Sequence, residues 1–145
     1  MKIDGLRVIN NFIVDSMEEA LLTALDGEKW ITDLKRRVQH YGYRYNYTAR
    51  TVDRSLYLGA LPDWSNAVAD KLSHEGFVST PFDQLIVNEY MPGEGIAPHI
   101  DCVSCFEETI LSLSLGSQAE MVFLGTNGGT VSPAGKATWL MGNGS

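Results

Sequence analysis

A histidine and an aspartate stand one residue apart in the stretch NEYMPGEGIAPHID, which covers residues 88 to 101. Residues two apart on a strand point to the same side, so a strand here would bring His99 and Asp101 together. An imidazole beside a carboxylate provides two of the three ligands of a 2-His-1-carboxylate metal centre, which keeps positions open for substrate and oxygen. The other interpretation is a hydrogen-bonded His–Asp pair on a sheet surface, and the bare pattern favours that one.

The segment before this pair predicts a strand that breaks into a loop. Asn88 and Tyr90 lie two residues apart and would share one face of that strand. Two prolines and two glycines separate them from His99. Such a loop allows a ligand to approach the backbone closely.

Two cysteines, Cys102 and Cys105, follow directly. With His99 and Asp101 they offer donors that zinc accepts, so a zinc site is an alternative. The zinc deaminase signature fits only in part, because it uses H-x-E and a separate P-C-x-x-C. Two structural thiols are the simpler interpretation of the cysteines.

Tyrosines alternate with other residues in KRRVQHYGYRYNYTARTVDR, residues 35 to 54. As a strand, this stretch would show Tyr41, Tyr43, Tyr45 and Tyr47 on one face. Six of the eleven basic residues of the chain lie between Lys35 and Arg54. Aromatic faces beside positive charge are what flipped or single-stranded nucleotides stack on. An edge strand with its tyrosines on the core is the alternative.

The composition bounds the class of protein. A chain of 145 residues, 44% hydrophobic and 20% charged, suits one globular domain. Its net charge of −7 argues against non-specific nucleic-acid binding by the whole surface, although a local basic patch remains compatible. No apolar run is long enough to span a bilayer, and the N-terminal residues show no secretory h-region, so we expect a cytoplasmic protein.

Hydrophobic periodicity predicts an α+β fold, with helices packed on a sheet or barrel. Helical spacing covers residues 15–25 and 62–77, and Gly27 and Gly76 are plausible helix ends. Strand-like segments are predicted at 5–13, 82–90, 109–115, 119–124 and 137–141, and Asn127-Gly128 is a hairpin signal.

These pieces together resemble the AlkB family of 2-oxoglutarate- and Fe(II)-dependent dioxygenases, with the tRNA-modifying oxygenases as the nearest branch. The resemblance rests on RRVQHYGYRYNY, on LP before a helix, on QLIVNEYMPGEGIAPHID and on FEETILSLSLGSQAEMVF. The motif N-x-Y-x-P-G-x-x-I-x-x-H-x-D is far more specific than H-x-D alone, and it reverses the preference for a simple surface pair.

The resemblance implies a role for each matching residue. His99 and Asp101 match the first two iron ligands, and Asn88 and Tyr90 match residues that hydrogen-bond 2-oxoglutarate. The lid over the substrate nucleotide is matched by four residues of the tyrosine stretch: Tyr41, Tyr43, Arg44 and Tyr45.

The resemblance also implies a fold and an activity. The family fold is a double-stranded β-helix, a jelly-roll-like barrel with helices outside. Residues 1–145 would form one domain, with a helical and lid part at 1–80 and the β-helix core, in complete or incomplete form, at 81–145. Its chemistry couples decarboxylation of 2-oxoglutarate to hydroxylation of a C–H bond, often on an N-methyl group that leaves as formaldehyde. Alkylated nucleic acid or tRNA is the implied substrate, and a protein is also compatible.

The sequence departs from the family pattern after Asp101. The family completes its metal site with a second histidine, followed by arginines that bind the cosubstrate. Here no histidine follows His99 and no arginine follows Arg54. We expect a fragment of a normal enzyme, which would turn over 2-oxoglutarate negligibly alone. The alternative is a degenerate relative that acts as a non-catalytic nucleic-acid or protein binding module.

Overall fold

The computed structural model describes residues 6–43, 54–79, 81–97, 109–117, 121–123 and 136–141. The chain divides into two compact units, one of Met1–Leu25 with Pro98–Ser145 and the other of Asp26–Ala97. Within the described ranges, no helix is long and apolar enough to cross a membrane. Two α-helices and five strands occur in the described part of the chain, which gives the α+β composition that the periodicity predicts.

The described residues of the first unit form a three-stranded sheet and one helix. Strand β1 (Arg7–Ile9) and strand β4 (Thr109–Ser114) flank β5 (Lys136–Met141), and both pairings are parallel. Parallel neighbours need a long crossover connection, which the chain between β4 and β5 provides. A jelly roll is built from antiparallel strands, and the strands described in this unit are too few to test the arrangement that the family resemblance implies.

The strand predicted at 119–124 is not formed over its described residues 121–123, which are irregular. Met121 and Val122 are exposed there, whereas Phe123 is half-buried. The expected Asn-Gly hairpin lies outside the described residues.

Helix α1 runs from Asp15 to Asp26 and ends immediately before Gly27, as predicted. Its apolar side chains Leu21 and Leu25 are buried, whereas Ala20 is exposed. Glu18 is buried as well, and its carboxylate accepts a hydrogen bond of 2.7 Å from the backbone N–H of Gly116. That bond joins the first turn of α1 to the chain that leaves β4.

The second unit contains an antiparallel pair and one helix. Strand β2 (Arg37–Tyr41) pairs with β3 (Leu85–Glu89). Val38 also exchanges both backbone hydrogen bonds with Ile31, so β2 is bonded along both edges at this point. Val38 is 1% exposed and anchors this unit's core with Leu72.

Helix α2 (Asn66–His74) follows a short 3₁₀ turn at Asp63–Ser65, within the segment predicted to be helical. Gly76 ends it at a φ of 78°. The N–H groups of Gly76 and Phe77 bond to the carbonyls of Ser73 and Leu72. This is the Schellman arrangement, which satisfies carbonyls that the helix would otherwise leave unpaired.

The tyrosine-rich segment is not one continuous strand, which corrects the expectation of four phenols on one face. Strand β2 ends at Tyr41, and Gly42 follows with a φ of 77°. A Cβ at Gly42 would lie 1.8 Å from the carbonyl oxygen of Asp83, so no other residue fits. This turn redirects the chain before Tyr43 and ends the alternation there.

Candidate functional site

The β2–β3 pair carries the start of the motif that opens at Asn88. Arg37 lies opposite Glu89 and Val38 lies opposite Asn88. Residues directly opposite each other share a face, and successive residues alternate between faces. Asn88 therefore belongs to one face of the strand and Glu89 to the other. Tyr90 is the first residue after β3, and the same alternation continued one residue further predicts it on the face of Asn88.

On the Glu89 face, a two-pronged ion pair fixes the register. The Nε and Nη2 atoms of Arg37 each donate to one carboxylate oxygen of Glu89, both at 2.8 Å. The hydrogen bond from Arg37 holds the pKa of Glu89 below its ordinary value, and the same bond raises the pKa of Arg37. The Arg37 guanidinium also lies 4.4 Å from the centre of the Trp30 ring. A slip of one residue would break this pairing and turn Asn88 to the opposite face.

On the other face, Asn88 is exposed while its cross-strand neighbour Val38 is buried. The Nε atom of Arg36 donates to Asn88 Oδ1 at 2.8 Å. No described residue accepts a hydrogen bond from the Asn88 NH₂ group or bonds to the Tyr90 hydroxyl. Two polar groups with spare hydrogen-bonding capacity thus stand at the end of β3.

A tight turn follows Tyr90, at the prolines and glycines that predicted a loop. The N–H of Glu94 donates to the carbonyl of Met91 at 2.9 Å, with Pro92 and Gly93 between them. Gly93 has a φ of 85°. Proline in the second position and a positive φ in the third define a type II turn, which explains the Pro-Gly pair of the motif.

Tyr41 is held by contacts within its own unit. Its hydroxyl donates to Gln39 Oε1 at 2.6 Å, and its ring meets Trp64 edge to face at 5.4 Å between centroids. Burial raises the pKa of Tyr41 to about 12, and the negative charge of Glu28 contributes further. These contacts hold Tyr41 in place beside the surface that Tyr43 and Tyr57 form.

Tyr43 lies at that surface. It forms an isolated bridge with Tyr57, and the two rings are 5.2 Å apart at a tilt of 51°. Its carbonyl accepts a hydrogen bond of 3.3 Å from Gln84. Tyr57 is 58% exposed, so the pair presents an aromatic face to solvent.

The predicted iron ligands His99 and Asp101 lie outside the described residues, as do the alternative zinc ligands Cys102 and Cys105. Arg44, Tyr45 and Tyr47 of the tyrosine stretch also lie outside them. Of the predicted site residues, the described ranges include Tyr41, Tyr43, Asn88 and Tyr90. Among described residues, no cluster of three or more histidine, cysteine, aspartate or glutamate side chains could hold a metal.

The residues present suit an iron and 2-oxoglutarate site in their chemistry. An imidazole and a carboxylate one residue apart are ligand types that Fe(II) accepts. The amide NH₂ of Asn88, whose oxygen is already engaged by Arg36, is a donor for an oxygen-rich cosubstrate. The Tyr90 hydroxyl, on the same face, is a second donor.

Two residues near this site escaped prediction. Arg36 appeared only as one of several basic residues, because its contact with Asn88 depends on the β2–β3 register. Tyr57 lies outside the alternating tyrosine stretch, and its partnership with Tyr43 depends on the turn at Gly42. Arg36 is part of the tyrosine-rich stretch at 35–54, but no pattern in a single sequence indicates the Arg36–Asn88 or the Tyr43–Tyr57 contact.

Comparison with known proteins identifies the family. The family model of the 2OG-Fe(II) oxygenase superfamily matches residues 5–144. An "Alkylated DNA repair protein ALKBH8 homolog" of Arabidopsis thaliana is 41% identical over 128 residues, which are 85% of this chain and 37% of that protein. The Xenopus tropicalis "tRNA (carboxymethyluridine(34)-5-O)-methyltransferase alkbh8" is 38% identical over 132 residues, 88% of this chain and 21% of that protein.

A more distant relative, the "Probable RNA/DNA demethylase ALKBH6" of Danio rerio, is 32% identical over 119 residues, 79% of this chain and 48% of that protein. The chain thus spans less than half the length of each of these relatives. The superfamily implies a jelly-roll fold, with Fe(II) and 2-oxoglutarate as cofactor and cosubstrate. The chain belongs to the AlkB-like family within the 2OG-Fe(II) oxygenase superfamily.

Proposed function

We propose that this chain forms the oxygenase part of a 2-oxoglutarate- and Fe(II)-dependent enzyme that hydroxylates or oxidatively demethylates alkylated nucleic acid or a modified tRNA base. One observation carries the proposal: the motif from Asn88 to Asp101 starts on a strand whose register is fixed by Arg37 and Glu89. The proposed fold is a double-stranded β-helix. The names of the relatives, which cite alkylated DNA, tRNA and RNA/DNA demethylation, support the substrate class.

His99 and Asp101 would hold the metal, and the cosubstrate would lie against Asn88 and Tyr90. Bound Fe(II) and 2-oxoglutarate supply the oxidising chemistry, in which O₂ and 2-oxoglutarate give succinate and CO₂ while one oxygen atom enters a substrate C–H bond. The contribution of this chain is to orient the cosubstrate through hydrogen bonds and to position the substrate beside the metal. The proposal assigns two protein ligands to the metal, and no further histidine follows them in these residues.

The substrate base would meet the segment that includes Tyr41, Tyr43, Arg44 and Tyr45. The paired rings of Tyr43 and Tyr57, the latter largely exposed, support this role because an exposed aromatic face is what an unstacked base packs against. Tyr41 would act from beneath, by supporting the segment through Gln39 and Trp64. The basic residues concentrated around this segment would attract a phosphate backbone locally, although the chain as a whole is acidic.

The test compares the affinities of the chain for a single-stranded oligonucleotide with one N-methylated base and for the same oligonucleotide unmodified. We expect tighter binding of the methylated form. Loss of one base-stacking ring costs about 1–3 kcal/mol, so Tyr43→Ala should weaken binding by that amount. Arg44→Ala should reduce the slope of affinity against salt by about 1.

Tyr43→Phe is the matched control, because it keeps the ring and should retain most of the affinity. The free energy of unfolding is measured for every variant. If Tyr43→Ala loses about 3 kcal/mol or more of stability with unchanged affinity, the residue is part of the core rather than of the lid. Equal affinity for the methylated and unmodified oligonucleotides would contradict the proposed substrate class.

A further inference from the structure

The hydrogen bond between Arg36 and Asn88 has a consequence for any ligand at the end of β3. The bond joins the half-buried Arg36 to the exposed Asn88, 52 residues apart in the chain, with Arg36 Nε at 2.8 Å from Asn88 Oδ1. A guanidinium group can only donate hydrogen bonds, so the amide must turn its oxygen toward Arg36. Its NH₂ group then faces away from Arg36, where an acceptor on a ligand can meet it.

The register explains why Arg36 reaches this position. Arg37 is the first paired residue of β2 and lies opposite Glu89. Arg36 comes one residue earlier, so alternation directs it to the other face, where it contacts Asn88 of the neighbouring strand. The Arg37–Glu89 pair holds this end of the two strands together. Adjacent arginines thus serve opposite faces, one fixing the register and the other contacting Asn88.

The same contact brings a positive charge to the face that carries Asn88 and Tyr90. A carboxylate ligand would find the amide NH₂, the tyrosine hydroxyl and a nearby guanidinium charge on this face. Donors of this kind suit a dianion such as 2-oxoglutarate better than a neutral molecule, since hydrogen bonds to ionised groups are about twice as strong as neutral ones.

We propose that Arg36 is a positioning residue of the cosubstrate site, which orients Asn88 so that its NH₂ group donates to an oxygen of 2-oxoglutarate. This inference rests on the proposed function, because it takes 2-oxoglutarate as the ligand of Asn88. Arg36 acts through Asn88, so its removal should matter only while the Asn88 amide is present. An exposed contact of this kind adds little to folding stability, and its effect should therefore appear in ligand affinity.

The experiment measures the dissociation constant of 2-oxoglutarate for the full chain by titration to millimolar concentrations. Mn(II) replaces Fe(II), so that no turnover occurs. We expect Arg36→Ala and Asn88→Ala each to weaken binding about tenfold. The double variant should bind no more weakly than the weaker single variant, because residues that act as one unit are not additive.

The Asn88→Asp variant distinguishes loss of the amide donor from loss of folding stability. An aspartate keeps an acceptor for Arg36, so the midpoint of urea unfolding should not fall, but it has no donor for the cosubstrate, and affinity should drop at least as far as in Asn88→Ala. Lys35→Ala is the matched control. It removes one positive charge from the neighbouring exposed position and should leave the affinity unchanged.

The outcomes separate this inference from the proposed function. If the wild-type chain binds 2-oxoglutarate with Mn(II) and Arg36→Ala binds it equally well, or if the two single effects simply add, the positioning role is overturned and the proposed function stands. If Lys35→Ala weakens binding as much as Arg36→Ala, general charge rather than orientation is responsible, which also overturns it. A wild-type chain that does not bind 2-oxoglutarate contradicts the proposed function and this inference together.

Discussion

Glu89 links the stability of the β2–β3 pair to pH. Its pKa is lowered mainly by the hydrogen bond from Arg37, so the folded state favours the ionised carboxylate. The stabilisation is therefore present above the ordinary pKa of 4.5 and is lost as pH falls through the lower folded-state value. Both side chains are partly exposed, and solvent screening limits the contribution to about 1 kcal/mol or less.

We predict that Glu89→Gln lowers the free energy of urea unfolding at pH 7 by at most about 1 kcal/mol, and that the difference from wild type shrinks as the pH falls below 4.5. Glu75→Gln is the control, since Glu75 belongs to an exposed pair with Lys71 on α2. Its effect should not exceed about 0.5 kcal/mol. A Glu89→Gln difference that is constant from pH 7 to pH 3 would contradict the linkage.

Tyr41 gives the opposite dependence, at alkaline pH. Burial raises its pKa from 10.0 to about 12, so the folded chain binds more protons than the unfolded chain between these values. Stability should therefore fall as the pH rises from about 10 to about 12. In Tyr41→Phe this part of the alkaline loss should be absent.

At pH 7 the same variant should lose about 1 kcal/mol, because the hydrogen bond to Gln39 is removed. Unfolding by urea between pH 9 and pH 12 tests both statements, with Tyr57→Phe as the exposed control. An identical alkaline loss in wild type and Tyr41→Phe would show that the Tyr41 phenol does not titrate differently in the folded and unfolded chains.

At the residue scale, spacing predicts which face of a strand a residue occupies, but not which residues it contacts. The alternation of a strand is enough to predict a shared face for Asn88 and Tyr90, because that geometry is local. The bond from Arg36 to Asn88 requires the register of two strands that are far apart in sequence, which one sequence does not specify. The same reason hid the partnership of Glu18 with Gly116 in the other unit.

At the scale of elements, Gly42 marks where the tyrosine stretch stops being a strand. Both its φ of 77° and the 1.8 Å approach of an added Cβ to Asp83 oppose any side chain. Gly76 has nearly the same φ, 78°, but nothing lies within 4 Å of an added Cβ. A comparison of substitutions at the two glycines therefore distinguishes the cost of a left-handed backbone, common to both, from the cost of steric overlap, present only at Gly42.

We predict that Gly76→Ala costs about 1–2 kcal/mol from its left-handed backbone alone. Gly42→Ala should cost roughly 1–3 kcal/mol more, because the backbone around Asp83 must also move. Chemical unfolding of both variants measures the difference. Equal losses would contradict a close approach between Gly42 and Asp83.

The two helices were predictable because each combines helical spacing with a glycine that ends it, as at Gly27 and Gly76. Strands β3 and β4 were predictable from their β-branched residues, and β5 from its short, mainly apolar sequence. The tyrosine stretch was misjudged because alternation continues through Gly42 in the sequence while the backbone turns there. Residues 121–123 were misjudged because apolar composition alone cannot say whether a facing layer exists.

At the scale of the whole molecule, the sequence was sufficient to predict the family but not the order and direction of the strands. A motif concentrates its information in a few residues of fixed spacing, which is why the residues from Asn88 to Asp101 were sufficient to indicate an AlkB-like oxygenase. Strand order depends on contacts between distant segments, and the parallel pairing of β1, β5 and β4 is not written in any local pattern. The jelly-roll arrangement therefore rests on family membership, while the β2–β3 register rests on contacts in this chain.

The central claim is that His99 and Asp101 form a metal site that works together with 2-oxoglutarate. The most direct test is the affinity of the full chain for 2-oxoglutarate with and without Mn(II), in wild type, His99→Ala and Cys102→Ser. We predict that Mn(II) tightens binding about tenfold or more in wild type and in Cys102→Ser, and has no effect in His99→Ala. Loss of the effect in Cys102→Ser would indicate a cysteine-containing metal site instead. Binding of 2-oxoglutarate that is indifferent to Mn(II) in wild type, or unaffected by His99→Ala, would contradict the claim.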